Sequence, residues 1–276
     1  MRMIRGLVVV LGSGILGCAG RLATNPSPEA APAHHPDVPL PTPPRLIPNV
    51  RLAGDTNAVP SFADTALIRW GPEPAGTVHV FSPHEYDLQN QAIRVRFDWA
   101  RHAVIGSTTL KIAALDHAIS VVPLDAVGLT IKRVATTGSV PLRFDYDGEI
   151  LTVHLRRPLA PRAHSAFVID YETVRPKRGA YFIDRSHYLW TQGAAIENRY
   201  WLPTYDHPDD KTTWQISVVT DSNEKALSNG RLLGHHLVKG GMEWDWALER
   251  PASTYLMSVV TGKYTVLTDH WRNVPV

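Results

Sequence analysis

The sequence predicts an all-β domain, and three observations predict it. Helical periodicity never persists for three turns anywhere in the chain. From about Val78 onward, apolar and polar residues alternate in short runs, the period of a half-buried strand. Turn-forming groups, Asp147-Gly148, Ser228-Asn229-Gly230 and Gly240-Gly241, separate several of these runs.

Taken in order, Ile93, Val95 and Phe97 alternate with Arg94, Arg96 and Asp98, which gives the first clear strand its two faces. Thr108–Ala113 and Leu129–Val134 are rich in β-branched residues and follow as strands. Arg143–Tyr146 and Ile150–Leu155 flank Asp147-Gly148, whose glycine supplies the positive φ of a tight hairpin turn. Phe167, Ile169 and Tyr171 alternate after the Pro158–Pro161 break. Trp214–Thr220, Leu232–Val238, Met242–Leu248 and Tyr255–Val260 complete the series, and no internal repeat is apparent.

The chain has 276 residues, 44% hydrophobic and 20% charged, which suits one globular domain of about 200 residues plus appendages. Net charge is +2, and nowhere do five basic residues run together. Pairs such as Arg156-Arg157 and Lys177-Arg178 read as a solvated face, so no nucleic-acid partner is expected.

The N-terminus has the form of a secretion signal. Arg2 and Arg5 precede the apolar run Leu7–Leu11, and small residues lead to Leu16-Gly17-Cys18-Ala19. The apolar part is too short for a permanent membrane span. Ile15-Leu16-Gly17-Cys18 resembles the bacterial lipobox, whose cysteine becomes N-terminal and carries acyl chains. Cys18 is the single cysteine, so it forms no internal disulfide, and lipidation is its expected fate; an ordinary signal with an incidental cysteine is the alternative. Ala19 behind it fits outer-membrane sorting in a diderm cell, so the expected location is the cell envelope. Residues 19–65, dense in proline and alanine, lack amide donors and large apolar groups and read as a disordered tether. His34-His35 within it reads as tether and nothing more.

Thr191–Pro208 stands apart. Gln192, Glu197, Asn198 and Arg199 sit among Ile196, Trp201, Leu202 and Tyr205. This composition suits a strand that leaves the core and passes a cleft before Pro203 and Pro208 turn it back. A buried strand end with a self-satisfied polar turn accounts for it equally well.

This stretch resembles the signature near the end of the N-terminal domain in the aminopeptidase N family of zinc metallopeptidases, peptidase family M1. The family pattern is roughly T-Q-x-E-x-x-[DE]-x-R-x-x-[FL]-P-x-x-D-x-P. Thr191, Gln192, Glu197, Arg199, Leu202, Pro203, Asp206 and Pro208 fit it without a gap, and Ala194 departs from the usual Glu or Gln. His84–Leu88, Leu124-Asp125, Ala226–Gly230 and Pro251–Leu256 resemble further landmarks, so the likeness covers about Val78–Val266. It implies a large saddle-shaped, mostly antiparallel, β-sandwich-like domain over residues 66–268. A lipoprotein signal at 1–18 precedes the tether, and 269–276 begin a linker to a catalytic domain absent from this chain.

It also implies which side chains meet substrate. The matching Gln192 lines the substrate site, and the residue two positions on helps hold the free α-amine of a peptide. On a strand, positions 192 and 194 share a side, so both face the family's zinc across the domain interface. Ala194 can neither donate nor accept, so one amine anchor is lost. Glu197, at an odd offset, faces away and pairs with Arg199 or the backbone, and Asp206 caps its own turn.

The zinc chemistry itself has no residues here. The family needs H-E-x-x-H on a helix and a distal Glu. His84-Glu85-Tyr86-Asp87-Leu88 begins alike but ends in Leu88, and the G-x-M-E-N loop is missing. No G-x-S-x-G, Walker loop or G-x-G-x-x-G occurs. Asp206, Asp209 and Asp210 lack the spacing of a calcium loop and read as solvated turn acids. No cofactor is therefore expected in this chain, with zinc in a full-length family member. Two functional expectations stand. One is the N-terminal domain of a membrane-anchored aminopeptidase, packed on a zinc-bearing catalytic domain and inactive alone. The other is a stand-alone, non-catalytic β-domain lipoprotein that binds or scaffolds a partner at the envelope, with a pseudo-enzyme remnant as a third.

Overall fold

The computed structural model describes residues 84–267, 269–272 and 274–275. The signal, Cys18 and the whole of the 19–65 tether lie outside these residues.

The fold is built on a seven-stranded sheet. Its centre is β1 (Tyr86–Asp98) and β2 (Ala103–Ala114), an antiparallel pair joined by a short turn at Trp99. On one side follow β7 (His164–Val174) and the edge strand β4 (Thr130–Thr136); on the other follow β10 (Thr212–Thr220), β13 (Gly241–Ala252) and the edge strand β12 (Arg231–Val238). β1 and β10 run parallel; every other pairing is antiparallel. A three-stranded sheet orders β3 (Ile119–Asp125), β6 (Ile150–Leu159) and β5 (Phe144–Tyr146). A four-stranded sheet orders β11 (Lys225–Ser228), β14 (Val259–Gly262), β9 (Tyr188–Thr191) and β8 (Ala180–Ile183). Within 269–276, expected as the start of a linker, β15 (His270–Trp271) pairs antiparallel with β16 (Val274–Pro275).

The alternation does what its period requires. Ile93 and Val95 are buried while Arg94 and Arg96 are exposed. One bulge interrupts β1 at Gln89, where the register with β2 shifts between Leu88 and Asn90. The extra residue changes phase, so Tyr86 and Leu88 before it and Gln91 after it all face inward. Gln91 is thus buried, and its amide is fully used: it donates to Thr108 Oγ1 (3.1 Å) and the Pro203 carbonyl (2.9 Å) and accepts from Thr204 Oγ1 (2.8 Å).

One continuous core joins the three larger sheets, with Leu110, Ile112, Phe167, Trp214 and Ile216 from the large sheet, Leu124 and Leu151 from the second, and Val259 from the third. Trp201, Leu202 and Tyr205 enter the same core from the Thr191–Pro208 stretch, so that stretch is anchored by apolar burial as well as by polar contacts.

Two readings need correction. Tyr255–Val260 is not one strand: Thr254–Leu256 forms a 3-10 turn, and the strand begins at Val259. A short apolar run fits either form, and the Ser253–Leu256 hydrogen bond (3.0 Å) closes the turn. The strand through Gln192 and Ala194 is also absent, because β9 ends at Thr191.

Candidate functional site

Thr191 closes β9 with its hydroxyl accepting from the Val259 amide (2.8 Å), which ties the strand end to β14. Gln192 comes next, half-buried, its backbone amide donating to the Gly179 carbonyl (2.9 Å). Ala194–Glu197 then turn, the Glu197 amide donating to the Gly193 carbonyl (2.9 Å), and Asn198–Tyr200 form a 3-10 turn. Ala194 is exposed in this turn, so strand alternation does not set its direction relative to Gln192. The Ala194–Ala195 peptide bond is cis.

Two glycines allow the chain to close this tightly. Gly179 has φ +79°, and a Cβ there would lie 2.2 Å from the Glu197 carbonyl oxygen. A Cβ on Gly193 would lie 2.5 Å from both Asn198 Nδ2 and the Tyr255 carbonyl oxygen. Asn198 is buried and fully engaged: Nδ2 donates to the Thr254 carbonyl (2.6 Å), and Oδ1 accepts from Trp201 Nε1 (2.8 Å). The turn is therefore pinned by contacts on both sides of Gln192.

The charged residues of the stretch are structural, with partners other than those expected. Glu197 does not pair with Arg199; it accepts from Arg178 Nη1 (2.7 Å) and the Tyr181 hydroxyl (3.1 Å). Arg199 is buried between two carboxylates. Its backbone amide (3.0 Å) and Nε (3.4 Å) donate to Asp206 Oδ2, Nη2 donates to the Asp206 carbonyl (3.0 Å), and Nη1 lies 3.3 Å from Asp125 Oδ1. The Asp206 amide donates to Asp125 Oδ2 (2.8 Å), closing the cluster. Asp206 is thus no solvated acid capping its own turn: it is buried and reaches back seven residues to Arg199. Burial pushes its pKa up to about 6, against the pull of the Arg199 hydrogen bonds and charge.

The two later acids part company. Asp209 is exposed as expected and accepts from His207 Nδ1 (2.6 Å). Asp210 is buried, accepting from the Leu88 amide (2.8 Å), and desolvation raises its pKa. His84 stacks on Tyr205 (4.9 Å) and lies 3.6 Å from both acids. Leu88, in the position where a zinc-binding helix carries its second histidine, is a fully buried strand residue. These residues do not fit a catalytic zinc, and no step is derived through one.

What remains for a ligand is Gln192. Asn198, Arg199, Glu197, Asp206 and Gln91 are all partnered within the fold. The Gln192 side chain is half-exposed and makes no hydrogen bond among the described residues. Its carboxamide both donates and accepts, and the pinned turn fixes where it stands. The stretch is a self-satisfied polar turn, and the Gln192 side chain is the amide it leaves over among the described residues. Gly179 and Gln91 escaped sequence reasoning, while Arg178 was read as part of a solvated face and Asp125 only as a landmark of the resemblance; Gly179, after the Lys177-Arg178 pair, leaves a local signal.

Residues 82–256 match the peptidase M1 N-terminal domain. Leukotriene A-4 hydrolase of Xenopus laevis is 23% identical over 197 residues, 66% of this chain and 32% of that protein. A probable aminopeptidase 2 of Sulfurisphaera tokodaii is 28% identical over 162 residues, 56% of this chain and 20% of that protein. A crystal structure of an M1 zinc metallopeptidase of Deinococcus radiodurans, in a mutant bound to a Tyr-Ser-Ala substrate, superposes with a TM-score of 0.61 at 18% identity, covering 70% of this chain and 46% of that one. The chain spans less than half the length of each of these relatives.

Proposed function

The chain belongs to the peptidase M1 N-terminal domain family, and we propose that it serves as the substrate-side domain of an aminopeptidase N-like zinc metallopeptidase. In this reading it packs on a zinc-bearing catalytic domain, in the same chain or a separate one, and offers Gln192 to the N-terminal end of a peptide. One observation carries it: Gln192 is the amide that the fold of Thr191–Pro208 holds in place and leaves without a partner. The name of the Sulfurisphaera protein and the substrate bound by the Deinococcus enzyme support peptide as the ligand class.

The roles divide by chemistry. Zinc, held by the catalytic domain, supplies the activated water. This chain contributes orientation: the Gln192 carbonyl accepts from a peptide's α-ammonium or its amide donates to a peptide carbonyl. Ala194 adds no polar group, so Gln192 is the amine anchor that remains. Lipidation at Cys18 would tether the assembly to the cell envelope through residues 19–65.

The test replaces Gln192 by alanine in the assembly that contains the catalytic domain. Loss of one hydrogen bond to a charged amine costs about 1.5–3 kcal/mol, so kcat/KM on a free-amine peptide substrate should fall at least tenfold. Bound zinc, measured by atomic absorption, should not change. Unchanged kinetics would remove the assigned role.

A further inference from the structure

β1 and β10 run parallel, so their starts share one end of the large sheet and their ends share the other. Thr191–Pro208 lies at the first end, beside His84 and Asp210. At the other end three turns converge: Trp99 after β1, His187 before β9 and Asp221–Glu224 after β10. There His187, Asp221 and Glu224 bring one ligand atom each within 4.8 Å of one another. The nine residues of β10 span the distance between the two ends, about 30 Å at ~3.3 Å per residue.

The three side chains are held differently. Glu224 is almost fully buried, its side chain 2% exposed, and its carboxylate has one side-chain partner, His187 Nδ1 at 2.5 Å. His187 is fixed by stacking on Trp99, with ring centroids 3.8 Å apart at 25°. The Asp221–Glu224 turn is closed by the Glu224 amide donating to the Asp221 carbonyl (3.0 Å). Asp221 itself is exposed, with no ion pair among the described residues. Among the described residues no lysine or arginine pairs with either carboxylate: Lys225 turns away to the Tyr264 carbonyl (2.8 Å), and neither Arg96 nor Lys239, which line the adjoining cleft, lies within 4 Å of them. The buried Glu224 carboxylate thus depends on His187 alone, and a buried carboxylate is costly without a partner of opposite charge.

We propose that His187, Asp221 and Glu224 form a divalent transition-metal site of the zinc class. One imidazole and two carboxylates suit Zn2+ better than Ca2+ or Mg2+, which take all-oxygen shells. The ion takes the place of the hydrogen bond between His187 Nδ1 and Glu224, and the exposed Asp221 side chain closes in to complete three protein ligands. Water from the cleft, about 310 Å3 and lined by Asp221 and Glu224, fills the remaining coordination. Bound metal thereby staples the β8–β9 turn to the β10–β11 turn.

The experiment titrates Zn2+ into the full 276-residue chain, produced without a histidine tag and stripped with chelator. Cys18, His34-His35 and His235-His236 offer other zinc-binding groups, so the readout is what specific variants remove. We expect one saturable equivalent in the micromolar range or tighter, weakened at least tenfold by Asp221→Asn, lost in His187→Ala, and kept when His235 and His236 are both alanine. Asp221 is exposed, so its variant should fold normally, as circular dichroism would check. X-ray absorption should show a nitrogen and oxygen shell with one imidazole. Zinc uptake unchanged in Asp221→Asn and His187→Ala, or no saturable uptake, would overturn the site. Saturation by Mg2+ or Ca2+ in preference to Zn2+ would overturn its assignment to a transition metal.

Discussion

Replacing Arg199 by methionine probes the frame that holds the candidate site. Methionine keeps most of the volume and removes the guanidinium, leaving Asp125 (1% exposed) and Asp206 (0%) buried with no cation between them. Breaking a buried pair from one side costs about 3–5 kcal/mol, a large part of a domain's total stability. The pH dependence gives a second check. Burial already pushes the Asp206 pKa up to about 6, with the guanidinium pulling it down; without Arg199 the Asp206 carboxyl rises further. The folded variant can then escape part of the cost by binding a proton, so its deficit should be smaller at pH 5 than at pH 8. The relief is about 1.4 kcal/mol for each pKa unit gained. Urea unfolding followed by tryptophan fluorescence at both pH values measures the deficit. A loss under about 1 kcal/mol at pH 8, or equal losses at both pH values, would refute the account of the cluster.

Asp206→Asn isolates that carboxyl's own titration. Below about pH 4 it is protonated folded and unfolded; between about 4 and 6 the unfolded chain releases a proton that the folded chain keeps, so stability falls as pH rises, and above about 6 the loss is complete. From pH 4 to 7 the wild type should therefore lose about 3 kcal/mol relative to Asp206→Asn, read by denaturant titration. Gly193→Ala places a Cβ against Asn198 and the Tyr255 carbonyl and should cost about 1–3 kcal/mol, measured by thermal unfolding. Cys18→Ser should abolish incorporation of labelled fatty acid and move the protein from membrane to soluble fractions on centrifugation.

The fold was legible where local pattern and packing agree. Ile93 and Val95 against Arg94 and Arg96 fix the faces of β1, and Asp147-Gly148 fixes the turn before β6; Gly148 indeed has φ +101°. It was illegible where one residue changes the phase. The bulge at Gln89 turns Gln91 inward, and alternation alone gives no warning that a buried amide will bind the Pro203 carbonyl and the Thr204 hydroxyl. Charge pairing was misread for a related reason. Glu197 has Arg199 two residues away in sequence, but the β8–β9 hairpin brings Arg178 to it, while Arg199 is drawn under the turn to Asp125. That the Gln192 side chain makes no hydrogen bond among the described residues was not legible in the run around it; it required every neighbour's partner to be known. His187 and Glu224, 37 residues apart, carry no shared motif, and only the convergence of two turns brings them together.

The central claim is that this chain works beside a zinc-bearing catalytic domain, and reading the transcript and its neighbouring genes past the codon for Val276 tests it most directly. The account predicts G-x-M-E-N and H-E-x-x-H with a distal glutamate, either in the same frame or in an adjacent gene. A frame that closes on unrelated sequence, with neither motif nearby, would contradict it and favour the reading as a stand-alone, non-catalytic β-domain.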